Sequence, residues 1–183
     1  GMWSEEAEVF STFAGIPAPV VEQIKRRSGF FKILCDPVDD ALPVQDGDLF
    51  QGQGYELNII HTRGHSPGSC CIFERRTGVL FSGDTLLKHI TPNPFHETNR
   101  SRLNDPAYKS LKAYRLSLQK LEQLPVSATF PAHGECIFDL KALIDGYRRH
   151  HDQRSEQIRQ ALIVSRPTLY ELTREVFPCI KDA

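Results

Sequence analysis

The sequence predicts an α+β fold of the sandwich type, in which one antiparallel or mixed sheet is flanked by helices. Three observations predict it. Short apolar runs, several with a period of two, occupy the stretch from residue 30 to about residue 84. Segments with the helical period of 3.6 precede and follow that stretch. Glycine-containing turns separate the apolar runs, as in a meander of antiparallel hairpins.

Two short helices are expected before the strands. Ser4 is placed to cap the first helix. Pro17 and Pro19 separate it from a second helix, and Gly29 is expected to end that helix. Both helices therefore belong to the flanking layer of the fold.

Six runs of residues predict strands, because they are short, apolar and bounded by turn residues. The turns that join them contain Gly47, Gly54 and Gly78. The predicted strands are Phe30–Leu34, Leu49–Phe50, Tyr55–His61, Ser69–Phe73, Val79–Ser82 and Ala128–Phe130.

Three further helices are predicted after the meander. Asp105 and Pro106 are placed to start the first, and Thr168 with Glu171 forms a capping box that starts the last, which should stop at Pro178. Between them a long helix is expected from about residue 139 to residue 164. The side chains expected to face the core are Leu111, Tyr114, Leu118 and Leu121, then Leu140, Leu143, Ile144, Tyr147, Ile158 and Leu162.

Composition excludes several classes of protein. The 183 residues are 40% hydrophobic and 25% charged, as in an ordinary globular domain. The net charge of −1 gives no overall positive field to attract nucleic acid or an acidic membrane. No apolar run approaches the ~20 residues of a membrane helix, and no basic segment with an apolar stretch opens the chain. We therefore expect a cytoplasmic protein that does not bind membranes.

The cysteines predict no disulfide framework and no thiolate metal site. Their number is odd, five in all, and no Cys-x-x-Cys pair occurs. Cys70 and Cys71 are adjacent on a predicted strand, so their side chains should point to opposite faces of the sheet. Buried, reduced thiols are the expected state.

Three segments share one design, in which an apolar strand leads into a glycine-bearing turn that presents a metal-capable side chain. These side chains are His65 in residues 59–69, Asp84 in residues 79–85, and His133 in residues 128–135. Imidazole and carboxylate are donors that suit zinc, manganese or iron in a hydrolytic centre. The neighbouring glycines leave the backbone free to bring a ligand close.

The order of these segments resembles a known family. The motifs Thr-x-Gly-His65-Ser-Pro-Gly-Ser, Phe-Ser-Gly-Asp84-Thr-Leu and Phe-Pro-Ala-His133-Gly-Glu are similar to the third, fourth and fifth motifs of the metallo-β-lactamase superfamily. The resemblance runs from about residue 42 to residue 140. It implies that residues 1–140 form about half of that family's αββα sandwich. Residues 141–183 form a helical tail, similar to the start of the winged-helix appendage of some members.

Carried over residue by residue, the resemblance implies that His65 completes a first metal site, Asp84 bridges two metals and His133 binds the second. Zinc, or another divalent metal, is the implied cofactor. Arg63 stands where the family usually has proline. The resemblance assigns no catalytic residue outside these three metal positions.

One motif of the family does not occur in the sequence. The second motif, His-x-His-x-Asp-His, would supply four more ligands, including the aspartate that activates water, and none of the seven histidines lies in such a segment. The resemblance therefore implies a truncated hydrolase of the ester, thioester, lactam or phosphodiester class, with weak metal binding and no hydrolysis by this chain alone. An uncovered sheet face should then associate as a homodimer or with a complementing chain.

Other interpretations stay open at this point. The chain could be a non-catalytic remnant that dimerises or binds a partner. Nucleic-acid binding through the tail is ranked lower, since Asp152 and Glu156 interleave with the basic residues near Arg148. His61 is expected to be a packing histidine, and His89 and His96 to lie in a solvated loop. The substrate cannot be read from the sequence, because specificity in one fold varies with its loops.

Overall fold

The computed structural model describes residues 5–31, 40–95 and 108–177, and in this part it confirms the predicted α+β class. Five helices and a five-stranded mixed sheet are described. The helices are α1 (Glu5–Phe13), α2 (Ala18–Phe31), α3 (Ser110–Glu122), α4 (Leu140–Val164) and α5 (Leu169–Val176). The strands are β1 (Leu49–Gly52), β2 (Tyr55–His61), β3 (Cys70–Glu74), β4 (Val79–Gly83) and β5 (Ala128–Pro131).

The sheet has the strand order β1-β2-β3-β4-β5. The first four strands pair antiparallel, and β5 joins β4 in parallel. Strands β2, β4 and β5 therefore run in the same direction, and their carboxyl ends lie at one edge of the sheet. The segments that carry His65, Asp84 and His133 leave the sheet at that edge.

Strand alternation gives the sheet two different faces. Phe73 pairs with Leu80, and both are buried under helices α3 and α4. Burial of apolar side chains of this size contributes roughly 1.5–3 kcal/mol each. The core on this face contains Ile60, Cys71, Phe73, Leu80, Leu86, Tyr114, Leu118, Leu121, Ile137, Leu140, Ile144 and Tyr147. A row of paired residues, Ile59, Ile72, Phe81 and Phe130, lies on the opposite face.

The chain forms two compact units. One comprises residues 42–150, with the whole sheet and α3, and the other comprises residues 1–41 and 151–183. The second unit has a small core of Ala161, Leu172 and Val176. The predicted capping box of α5 is confirmed, because Thr168 and Glu171 exchange hydrogen bonds between side chain and backbone. The domain boundary expected near residue 140 stays a prediction.

Helix boundaries differ from expectation at two places. Gly29 does not end α2, which continues to Phe31, so the start of the predicted strand Phe30–Leu34 is helical and residues 32–34 lie outside the described part. A short apolar run fits a helix as well as a strand, and one glycine costs a helix only about 1 kcal/mol. Helix α3 begins at Ser110, and its predicted starting residues, Asp105 and Pro106, also lie outside the described part.

Two leucines expected in the core are exposed. Leu111 lies at the start of α3 and Leu162 near the end of α4, and both face solvent. In α4 the neighbouring Ala161 is buried instead. Successive helical residues are rotated by about 100°, so a shift of one position moves a side chain off the buried stripe.

The described cysteines are free thiols. Cys71 is fully buried, and burial raises the pKa of its thiol to about 11, which keeps it protonated. Cys70 and Cys136 are half-buried and free, and Cys35 and Cys179 lie outside the described residues. In the same part of the chain, no helix has the length and apolar character needed to cross a membrane. The cytoplasmic location stays a prediction.

One carboxylate organises the turn between β3 and β4. Glu74 accepts hydrogen bonds from the backbone N–H groups of Glu56, at 3.0 Å, and Thr77, at 2.7 Å. Its carboxylate also accepts a bond from the Thr77 hydroxyl and a longer one, at 3.3 Å, from the N–H of Arg76. The Thr77 hydroxyl and these N–H groups lower the pKa of Glu74 to about 2.

We expect Glu74→Gln to lower stability most at neutral pH. Because the folded-state pKa lies below the ordinary value of 4.5, the stabilisation is complete above about pH 4.5 and is lost as the pH falls toward 2. Urea denaturation at several pH values should therefore show a gap between wild type and variant that closes on acidification. Glu175→Gln, at an exposed site on α5, is the matched control. A gap that is constant with pH would contradict the prediction.

Candidate metal centre

The three predicted metal ligands meet at the edge where β2, β4 and β5 end. Asp84 lies between the two histidines. Its Oδ2 is 4.0 Å from Nε2 of His65, and its Oδ1 is 3.5 Å from Nε2 of His133. Each carboxylate oxygen therefore faces a different imidazole. The side chains are 25% exposed for His65, 39% for Asp84 and 77% for His133, so the pair with His133 opens furthest to solvent.

A backbone carbonyl fixes the orientation of His65. The Nδ1 atom of His65 lies 3.1 Å from the carbonyl oxygen of Asn93. A carbonyl can only accept, so Nδ1 carries the hydrogen and donates it, which leaves the lone pair of a neutral ring on Nε2, toward Asp84. Phe95 packs edge-on against the ring at 5.0 Å. Metal-binding histidines typically donate a hydrogen bond from the ring nitrogen that does not bind the metal, as Nδ1 of His65 does to the Asn93 carbonyl.

Buried hydroxyls hold the turn that carries Asp84. Gly83 has a φ of +52°, a conformation that favours glycine, and it turns the chain out of β4. The hydroxyl of the next buried residue, Thr85, lies 3.0 Å from that of Thr62. The hydroxyl of Tyr114 donates to the carbonyl of Thr85 at 2.8 Å. The Asp84 turn is thereby tied to the residue that follows β2 and to α3.

The loop that carries His65 lies directly on α3. Gly64 has a φ of +143°, and a Cβ built there would lie 2.4 Å from Cβ and 2.5 Å from Cα of Tyr114. The Ser117 hydroxyl donates to the carbonyl of Arg63 at 2.8 Å. Only glycine permits this approach, so the position of His65 depends on the glycine before it.

His61 and His89 lie outside the three-residue arrangement. Nε2 of His61 donates to the carbonyl of Pro67 at 3.1 Å, a bond within the loop that suits the expected packing role. His89 is exposed and lies 3.5 Å from Glu135, which also pairs with Lys88. The Lys88 ammonium holds the pKa of the Glu135 carboxyl below its usual range. His96 lies outside the described residues.

The donor chemistry fits a divalent metal in part. Two imidazole nitrogens and a two-oxygen carboxylate suit zinc, manganese or iron. Within the described ranges, however, no three metal-capable side chains converge on a single point. The geometry is that of two incomplete positions, each with one imidazole and one oxygen of the shared Asp84.

The described fold and this sheet edge, which presents imidazole and carboxylate from glycine-bearing turns, define an α+β protein with a candidate metal site. The chain belongs to the metallo-beta-lactamase superfamily, since the model of that family matches residues 4–133. The resemblance stated from the sequence is confirmed. A divalent metal is accordingly the cofactor class of its family.

Individual relatives match the same region. The probable metallo-hydrolase YqjP of Bacillus subtilis is 29% identical over 125 residues, which are 68% of this chain and 39% of that protein. The atrochrysone carboxyl ACP thioesterase of Emericella nidulans is 29% identical over 122 residues, 67% of this chain and 35% of that protein. The chain thus spans well under half the length of these relatives.

A solved structure shares the fold. The metallo-beta-lactamase family protein TTHA1429 of Thermus thermophilus superposes with a TM-score of 0.76 and 26% identity. The match covers 96% of this chain and 54% of that one. About half of the larger fold therefore corresponds to the residues present here.

Proposed function

We propose that this chain supplies one half of the dinuclear metal site of a metal-dependent hydrolase, with Asp84 shared between the two metals. The observation that carries the proposal is the placement of the two carboxylate oxygens, which face Nε2 of His65 at 4.0 Å and Nε2 of His133 at 3.5 Å. A divalent metal held there would polarise a substrate carbonyl and lower the pKa of water to about 7.

The remaining ligands would come from other polypeptide, whether continuous with this chain or separate from it. A catalytic zinc commonly has three protein ligands, whereas each position here receives one imidazole and one carboxylate oxygen. His65 would bind through Nε2 while Asn93 holds its other nitrogen. The 183-residue chain alone is then expected to bind zinc weakly and to show no turnover.

We take thioesters as the first substrate class to test. The Emericella nidulans relative has a thioesterase name, and a metal-bound carbonyl is the common feature of ester, thioester and lactam hydrolysis. The name belongs to that relative, so esters, lactams and phosphodiesters are the comparison substrates.

The exposed part of the sheet face opposite the core has a proposed occupant. Phe81 and Phe130 stack on it with ring centroids 5.9 Å apart, and both remain more than 40% exposed. The Thermus thermophilus structure is larger, and the match covers 54% of it. We propose that a polypeptide segment corresponding to the unmatched part of the Thermus thermophilus structure covers this face. The same segment would bring the missing metal ligands.

Paramagnetic broadening by Mn²⁺ tests the metal half-site and detects weak binding. In NMR spectra of the 183-residue chain, sub-stoichiometric Mn²⁺ should broaden the imidazole signals of His65 and His133 before those of His61. Asp84→Asn should abolish this selectivity, because it removes the shared carboxylate. Asp139→Asn is the matched control: Asp139 caps the N–H of Ala142 at 2.8 Å, and asparagine caps equally well.

Two outcomes would contradict this proposal. Uniform broadening of all histidines, or broadening that survives Asp84→Asn, would show that the three side chains do not form a metal site. Stoichiometric, tightly held zinc, or thioester hydrolysis by the chain alone, would show that the site is complete without further ligands.

A further inference from the structure

A cleft beside α3 lies apart from the three metal-ligand side chains. Its cavity has a volume of about 390 Å³, and its walls include Arg63, Tyr108, Lys109, Lys112, Leu116 and Lys120. All of these residues belong to the unit of residues 42–150. Arg63 stands two residues before His65, at the position where the family resemblance leads one to expect proline.

The cleft concentrates positive charge in a chain whose net charge is −1. Its single carboxylate, Asp46, accepts a hydrogen bond from Lys120 at 2.8 Å, and this bond holds the pKa of Asp46 below its usual range. Across the described ranges, no acidic side chain pairs with Lys109 or Lys112. Lys109, Lys112 and Arg63 therefore line the cavity without an acidic partner among the residues that the structure describes.

Arg63 is the most constrained of these cations. Its guanidinium lies over the ring of Tyr108, 4.9 Å from the centroid. Its Nε is buried and has no hydrogen-bond partner among the described residues. A buried donor without a partner is destabilising, and a bound acceptor would supply the missing hydrogen bond.

The first turn of α3 adds donors on the same side. Lys109 is the N-cap, and its side chain makes no capping bond, so the opening N–H groups of this 13-residue helix have no side-chain cap. Lys112 and Ala113 of the same turn line the cleft. The helix dipole therefore reinforces the attraction of the lysines for an anion.

We propose that this cleft binds the phosphate group of a small organic molecule. Arg63 and Lys112 would pair with the phosphate oxygens, and Tyr108 and Leu116 would contact the organic part. The small volume of the cleft and the pairing of Asp46 with Lys120 at one end favour a compact ligand over a long polyanion, which would need a continuous basic track. The site is independent of the metal half-site and uses none of its three ligands.

Calorimetric titration of the metal-free chain with phenyl phosphate tests the proposal. Phenyl phosphate should bind, and phenol, which lacks the charge, should not. Lys112→Gln should weaken binding about tenfold, as for the loss of one charge-assisted hydrogen bond. The side chain of Lys112 is exposed, so this replacement removes no buried packing. Lys141→Gln, at an exposed lysine of α4 outside the cleft, should change the Kd by less than about twofold.

Three results would overturn the proposal. No binding at millimolar phenyl phosphate would show that the cleft is not an anion site. Equal weakening by Lys112→Gln and Lys141→Gln would show a general electrostatic effect. Tighter binding of a single-stranded oligonucleotide than of phenyl phosphate, with a salt dependence that indicates several phosphate contacts, would identify nucleic acid as the ligand instead. None of these results bears on metal binding at Asp84.

Discussion

Replacing Gly64 by alanine should lower the free energy of unfolding by about 3 kcal/mol or more, the upper range for overpacking a core. A Cβ at this position would lie 2.4 Å from Cβ and 2.5 Å from Cα of Tyr114, and backbone atoms cannot move aside as a flexible side-chain end can. The φ of +143° adds conformational strain for any residue with a side chain. Urea denaturation followed by circular dichroism measures the loss.

Gly68→Ala is the control for this experiment. Gly68 lies in the same loop, but a Cβ there would meet nothing within 4 Å. The change should therefore leave stability within about 0.5 kcal/mol of wild type. In Gly64→Ala, the selective broadening of His65 by Mn²⁺ should also disappear, because the loop can no longer rest on α3. Equal stability of the two variants would contradict the packing described for Gly64.

The edge of the sheet could be predicted from local patterns. Alternation in residues 55–61 gave the bounds of β2, and the glycines beside His65, Asp84 and His133 marked the turns that leave the sheet. These signals are local, because each depends on a few consecutive residues. Their joint position follows from strand direction alone, once β2, β4 and β5 are known to run the same way.

The contacts that orient the site could not be predicted in this way. His65 is held by the carbonyl of Asn93, and every residue has a carbonyl, so no sequence pattern marks it. Pro92 and Pro94, which flank Asn93, were the available signal for a loop of fixed conformation. The basic cleft joins Arg63 to Lys112 across 48 intervening residues, and only the packing of α3 on the β2 loop brings them together.

Phe81→Ser combined with Phe130→Ser should sharply reduce the self-association of the isolated chain. The two rings are stacked on the sheet face opposite the core, 46% and 41% exposed, in a register that continues to Ile72. An apolar face of this kind seldom persists in water without a cover. We expect the wild-type chain to bind an apolar dye and to gain apparent mass with concentration in light scattering. The double variant should do neither, because the two exposed rings are gone. It should still fold, because its core residues are unchanged.

Phe138→Ser is the control that distinguishes an effect of this sheet face from an effect of any exposed aromatic side chain. Phe138 is more exposed than either stacked ring, but it lies beside Glu122 and Lys141 on the helix side of the sheet. Its replacement should leave both dye binding and apparent mass unchanged. If the wild-type chain is a dimer of constant mass, a second copy of the chain occupies the face. If it is a monomer that binds no dye, the face needs no cover. The proposal expects association that grows with concentration, has no fixed stoichiometry and is abolished only by the Phe81 and Phe130 changes. This behaviour would support a further segment of the same fold as the natural partner of the face.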